Sequence, residues 1–288
     1  MRNKTVSLDA GLLFVASAIL PVYAFKSGSI QPTHAFFAAF AALTLVARGL
    51  PTKNWSISFI TLCLYSFLVE GVYTILGADA KFIAASVFFL YNFILVAAVY
   101  QYVSANGLST LVPGITVAAA LALITVLITG VSLREWSAAG RGVGSFNNPN
   151  QLGYFSVCLL SLTYLFYRGG SIRYWHALGL FAISIFLSVA SLSKAAMVAN
   201  FAVMIWALYP ASSRTSLISW AVGVAICVLV LVRMFQDGIF DDYLFMERLM
   251  KISTEGDSSL EARGYFAIFE ASGPQWLFGL GEQALDDT

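Results

Sequence analysis

The chain has 288 residues, of which 59% are hydrophobic and 11% charged, and its mean hydropathy is +0.80; a soluble domain carries roughly 45–50% apolar and about 25% charged residues. That composition excludes an ordinary cytosolic enzyme, and since one bilayer crossing needs about 20 apolar residues it leaves room for roughly nine or ten spanning helices. The net charge of +1 hides an asymmetry, with 13 basic and 4 acidic side chains in residues 1–235 against 3 and 11 in residues 236–288, and neither part offers a basic face suited to nucleic acid.

Apolar runs between polar breaks predict nine spans, at residues 8–25, 35–46, 55–76, 82–103, 111–131, 151–167, 174–190, 195–209 and 216–232. The first run starts after Arg2 and Lys4, contains Pro21 and has no small-residue cleavage site, so it reads as a retained helix and not a cleaved leader. Cys63, Cys158 and Cys227 each lie within an apolar run without CxxC spacing, and read as membrane packing rather than disulfides or metal ligands. Beyond the last span, Ile239, Phe240, Tyr243, Leu244, Leu249 and Ile252 alternate with charged residues at helical spacing, the pattern of an interfacial helix. The expected organisation is therefore an all-α, polytopic transmembrane bundle over residues 1–235, followed in residues 236–288 by the beginning of a large outer loop that the sequence cuts short. With a cytoplasmic N-terminus, seven basic loop residues fall inside and six outside, and an odd number of spans places the acidic tail outside.

Several chemistries are absent from the pattern. There is no GxxxxGK[ST] loop, no HExxH and no sustained His or Cys cluster, so neither a nucleotide cofactor nor a metal is expected. The most unusual loop is REWSAAGRGVGSFNNPNQ, residues 134–151, where Gly140, Gly142 and Gly144 let backbone approach a ligand closely. Asn148 before Pro149 has the form of an N-cap and a first-turn proline opening the next span. A helix start with Arg141 beside it is suited to holding phosphate; the bland alternative is a glycine-rich turn with a good cap. A second helix start follows at Ser191, Ser193 and Lys194, where a cation stands against the helix dipole and either marks an anion or snorkels to the interface. Glu70, inside the third span, is a costly intramembrane acid that reads as one half of an ion pair or as a proton acceptor. His34 and His176 lie near span ends and are given no chemical role; Tyr174, Trp175 and His176 look like an interfacial belt.

These residues carry a resemblance. The string Gly142–Val143–Gly144–Ser145–Phe146–Asn147–Asn148–Pro149–Asn150–Gln151–Leu152–Gly153 resembles the G-x-F-x-N-P-N-x-x-[AG] signature of the bacterial O-antigen ligase and O-antigen polymerase superfamily. Residues 191–194, SLSK, are similar to that family's Ser-Arg element. Ser259 to Arg263, followed by Phe278, Gly279, Leu280 and Gly281, resemble the S-x-x-x-R and G-x-G pattern of its periplasmic loop. The resemblance implies a metal-independent glycosyltransferase of the bacterial inner membrane, needing no cofactor. It would move a glycan from an undecaprenyl-diphosphate-linked donor to lipid A core or to another lipid-linked repeat unit at the periplasmic face. It also implies that Arg141, Lys194 and Arg263 neutralise the diphosphate, with Asn148, Asn150 and the backbone of Gly142 and Gly144 beside them. Two departures stand out: Lys194 occupies a usual arginine position, giving a point charge instead of a bidentate fork, and the family's distal histidine has no counterpart. Glu70 is the remaining candidate for a catalytic base. The rivals are a transporter or flippase of an anionic or lipid-linked solute, with Glu70 and the outer cations along its path, and an accessory membrane scaffold.

Overall fold

The computed structural model describes residues 7–25, 30–75, 81–129 and 144–208. Of these, 84% are helical, and no strand occurs among the described residues. The helices are α1 (Leu8–Ala18), α2 (Pro32–Arg48), α3 (Asn54–Ile75), α4 (Lys81–Asn106), α5 (Val112–Thr129, preceded by a 3-10 turn at Leu108–Leu111), α6 (Pro149–Arg168), α7 (Tyr174–Ser191) and α8 (Lys194–Leu208). Among the described residues, four segments are long and apolar enough to cross a membrane: Asn54–Val72, Ser86–Asn106, Leu108–Thr129 and Tyr174–Ser191. Large apolar side chains point outward from them, with Leu64 64% and Ile128 78% exposed, as a lipid-facing surface requires. The expected span at 216–232, the amphipathic stretch at 239–252 and the loop region 236–288 lie outside the described residues.

The eight described helices coincide with the first eight apolar runs, with one correction. The run at 8–25 is helical only to Ala18. Pro21 has no N–H and disfavours helical backbone in the residue before it, so the helix closes with Ile19 and Leu20 in a turn. Cys63 is buried, but Cys158 is exposed on the outer face of α6; the expectation of membrane packing holds within the protein for Cys63 only, and Cys227 lies outside the described residues.

The chain divides into two compact units. In one, α3 and α4 form an antiparallel hairpin in which Trp55 meets Tyr100, Phe59 stacks on Phe93, and the Ser66 and Ser86 hydroxyls lie 2.8 Å apart. The later part of α2 joins this unit through Phe40 on Tyr102, and Arg48 donates to the Gln101 carbonyl at 3.3 Å while covering the Tyr102 ring.

The other unit contains α1, the start of α2, and α5 to α8. Its core is built from Ala119, Ala122 and Val126 of α5, Leu152, Leu159 and Phe166 of α6, and Leu180, Leu187 and Ala190 of α7, closed at one end by Phe146. Helices α6 and α7 run antiparallel through a short turn. The joint between α7 and α8 is shorter still: Leu192 takes a left-handed conformation (φ 49°) with its side chain buried, and α8 begins two residues later. Helices α1 and α5 approach closely at Gly114, where a Cβ would lie 2.6 Å from the Ser17 Cβ. Small residues at such contacts let apolar helices pack without a hydrophobic drive between them. Gly114→Val forces these two helices apart and is expected to lower stability by about 1–3 kcal/mol, read as an earlier unfolding transition in detergent micelles.

Candidate functional site

The signature-like segment is a folded turn held by its own polar side chains. Gly144 has φ +59°, and a Cβ there would fall 2.9 Å from both Thr125 Oγ1 and Val126 Cγ2, so glycine is required by conformation and by space. Ser145 Oγ donates to the Pro21 carbonyl, and the Ser145 carbonyl accepts from Tyr23 N at 3.1 Å. Phe146 turns inward, 6% exposed, between Tyr23 and Phe155. Asn147 Nδ2 donates to the Phe25 carbonyl at 2.8 Å.

The next residues start α6. Asn148 is extended (φ −152°, ψ 158°), and its Oδ1 accepts from Gln151 N at 2.9 Å, with Pro149 as the first helical residue. Gln151 Oε1 reaches back to accept from Asn147 N at 3.2 Å, a reciprocal arrangement close to a capping box. The cap anticipated from Asn148 and Pro149 is therefore present, and the Asn148 carboxamide oxygen is engaged in it.

Gln31, which the sequence reading passed over, secures the same turn from the other side. It is 3% exposed; its Oε1 accepts from Ala24 N and Phe25 N at 3.0 Å each, and its Nε2 donates to the Phe25 carbonyl at 3.0 Å. Gln31 N in turn donates to His34 Nδ1 at 3.0 Å. Residues 21–25 are thus clamped between the start of α2 and the start of α6.

The second helix start lies against the first. A Cβ on Gly153 would fall 2.8 Å from the Cβ atoms of Ser193 and Ala196 and 3.1 Å from Ser191 Oγ. One turn further along, Asn200 Nδ2 donates to Ser156 Oγ at 3.0 Å. Positions 153 and 156 of α6 thus pair in the same order with 193, 196 and 200, so α6 and α8 run parallel with their N-termini at one end of the unit. The start of α8 is set about one turn, roughly 6 Å, deeper than that of α6. Ser193 stands at its N-cap position, its carbonyl accepting from Met197 N at 3.0 Å and its N–H donating to Ser191 Oγ at 3.2 Å.

A buried polar seam follows the two helices. Ser156 Oγ donates to the Gly153 carbonyl at 2.6 Å and Ser184 Oγ to the Ser156 carbonyl at 2.7 Å. Asn200 is 2% exposed; a carboxamide in the middle of an apolar run was a legible signal of an interhelical contact.

Of the residues proposed from sequence, Gly144, Asn148 and Asn150 and the backbone of Lys194 converge on this end of the unit. Arg141, Gly142 and Arg263 lie outside the described residues. Glu70 belongs to the other unit, 2% exposed and one turn beyond Ser66 on α3, with its carbonyl accepting from Thr74 Oγ1 at 2.8 Å. Among the described residues no group of three or more His, Cys, Asp or Glu side chains could hold a metal ion. No family model, curated protein or solved structure matches the chain.

Two outcomes follow from this geometry. Asn148→Ala removes the cap and is expected to cost about 1 kcal/mol, whereas Asn148→Asp retains an acceptor and most of the stability; the two unfolding transitions in detergent make the comparison. His34 lies ahead of the second apolar run, and burial pushes its pKa below the ordinary value of 6.5. Its neutral ring is also the form whose Nδ1 can accept from Gln31 N. The unfolded chain then takes up the proton first, so this contribution is fully present above pH 6.5 and is lost as pH falls through the lower folded value. Unfolding measured from pH 7.5 down to 5 should show a decline that His34→Gln reduces.

Proposed function

We propose that the protein transfers a glycan from an undecaprenyl-diphosphate-linked donor to a lipid or glycan acceptor at the periplasmic face of a bacterial inner membrane. The observation that carries this reading is the pair of parallel helix starts meeting at Gly153. Each helix directs its positive dipole end and its first N–H groups toward the same end of the unit, which favours an anion there by two additive contributions. Lys194 is the first residue of α8, and Arg141 precedes Gly144 by three residues of chain.

The chemistry suits such a site. An acceptor hydroxyl attacks the anomeric carbon of the donor sugar, forming the new glycosidic C–O bond as the bond to the diphosphate breaks. The hydroxyl proton passes to a general base, and the bonding electrons leave on the diphosphate. Developing charge on that leaving group is what fixed cations and helix N-termini stabilise, and the activated donor linkage supplies the driving force. The Arg141, Lys194 and Arg263 side chains are the proposed neutralising cations, with Asn150 and the backbone of Gly142 and Gly144 beside them and the nine-span bundle and outer loop around them. Asn148 contributes by fixing the direction of α6. A solute-transport reading draws its support from the buried Glu70 on α3.

Binding of undecaprenyl diphosphate to the purified full chain in detergent separates the two. Charge-assisted hydrogen bonds are worth about 1.5–3 kcal/mol, so Arg141→Ala and Lys194→Ala should each weaken binding by at least about tenfold. Binding equal to that of the unaltered protein in both variants would overturn the diphosphate site and favour transport.

A further inference from the structure

The end of the unit away from the paired helix starts carries a different feature. The turn between α6 and α7 is closed by a C-terminal motif in which Gly170 (φ +67°) donates to the Tyr167 carbonyl at 3.1 Å and Ser171 N to the Phe166 carbonyl at 2.8 Å. Beside this turn, α6, α7 and α8 leave a groove of about 360 Å3, within the range of roughly 300–1,000 Å3 typical of small-ligand sites. Its deep part is apolar, with Leu160, Phe181 and Met204 in the wall, and its polar end carries Tyr167, Arg168 and Tyr174.

The charge of that end is one-sided. Among the described residues, no acidic side chain lines the groove. A second cation, Arg173, follows Arg168 across the turn and stands at the N-cap of α7, whose first turn receives no side-chain capping bond. Tyr167 meets Tyr174 edge-on, Tyr174 meets Trp175 in the same way, and Trp175 is 77% exposed. Such an aromatic cluster marks the level of lipid headgroups. The 20 residues of α6 separate this cluster from the paired helix starts by about 30 Å, the thickness of a hydrocarbon core.

We infer that the groove between α6, α7 and α8 binds an anionic glycerophospholipid, with an acyl chain along Leu160, Phe181 and Met204 and the headgroup phosphate at Arg168 and Arg173. An apolar trough accepts acyl chains of any phospholipid. The two arginines with no acid lining the trough select those with net negative charge, as basic pockets between transmembrane helices do. The tyrosine hydroxyls supply hydrogen-bond donors at headgroup depth. This site is independent of the diphosphate reading, because no residue is shared between the two.

The test uses the full chain in detergent micelles supplemented with dioleoylphosphatidylglycerol or dioleoylphosphatidylcholine, with lipid retention read by native mass spectrometry and the unfolding temperature measured alongside. The unaltered protein should retain phosphatidylglycerol about tenfold more than phosphatidylcholine and unfold at higher temperature with it. The pair R168Q/R173Q should abolish the preference, R168K/R173K should keep most of it, and A177F, which fills the groove, should reduce retention of both lipids. Equal retention of the two lipids by the unaltered protein overturns the inference. An undiminished preference in a folded R168Q/R173Q variant does so too.

Discussion

The arrangement of the larger unit depends on the absence of a side chain at Gly153. With any Cβ at that position, Ser193 and Ala196 could not stand where they do, and the start of α8 would be displaced from α6. The close approach fixes both the parallel direction of the two helices and their one-turn stagger. It also brings Asn200 within hydrogen-bond distance of Ser156. In a bilayer, where apolar side chains gain nothing by leaving lipid for protein, this combination of backbone proximity and a few interior hydrogen bonds is what holds helices together. The paired helix starts are a consequence of that contact.

The turn at residues 144–151 uses its polar side chains in a different way. Ser145 and Asn147 hold the backbone of residues 21–25, Asn148 and Gln151 close the start of α6, and Phe146 is buried. For the proposed diphosphate this leaves mainly the position and polarity of the helix start itself. A motif that looks chemical in sequence is thus largely a device for orienting a helix, and the orientation is what gives the end of the helix its electrostatic use.

The legible part of the fold was the part written locally. Apolar runs bounded by charge, glycine or proline located eight described helices, because each helix is set by the length of its own run; the exception, residues 19–25, came from giving Pro21 too little weight against the hydropathy around it. The cap at Asn148 was legible for the same reason, since Asn followed by Pro specifies a helix start within two residues. The roles of Ser145, Asn147 and Gln31 were not, because their partners are backbone groups, which leave no trace in residue identity, and for Ser145 and Asn147 lie more than 120 positions away. The two helix starts were expected to share an anion on one membrane face, with no indication of the contact that brings them together. Its basis, a glycine in α6 opposite a serine and an alanine at the start of α8, depends on a parallel register between helices that are not neighbours in the chain.

That register also couples two contacts that lie a turn apart. Helices α6 and α7 are consecutive and antiparallel, so the hydrogen bond from Ser184 to the Ser156 carbonyl needs only the short turn between them. The bond from Asn200 to Ser156 instead needs the parallel register of α6 and α8, and so does the close approach of Ser193 and Ala196 to Gly153. A sliding of α8 along α6 by one turn would break both at once, so the polar seam acts as a ruler that fixes how far apart the two helix starts stand.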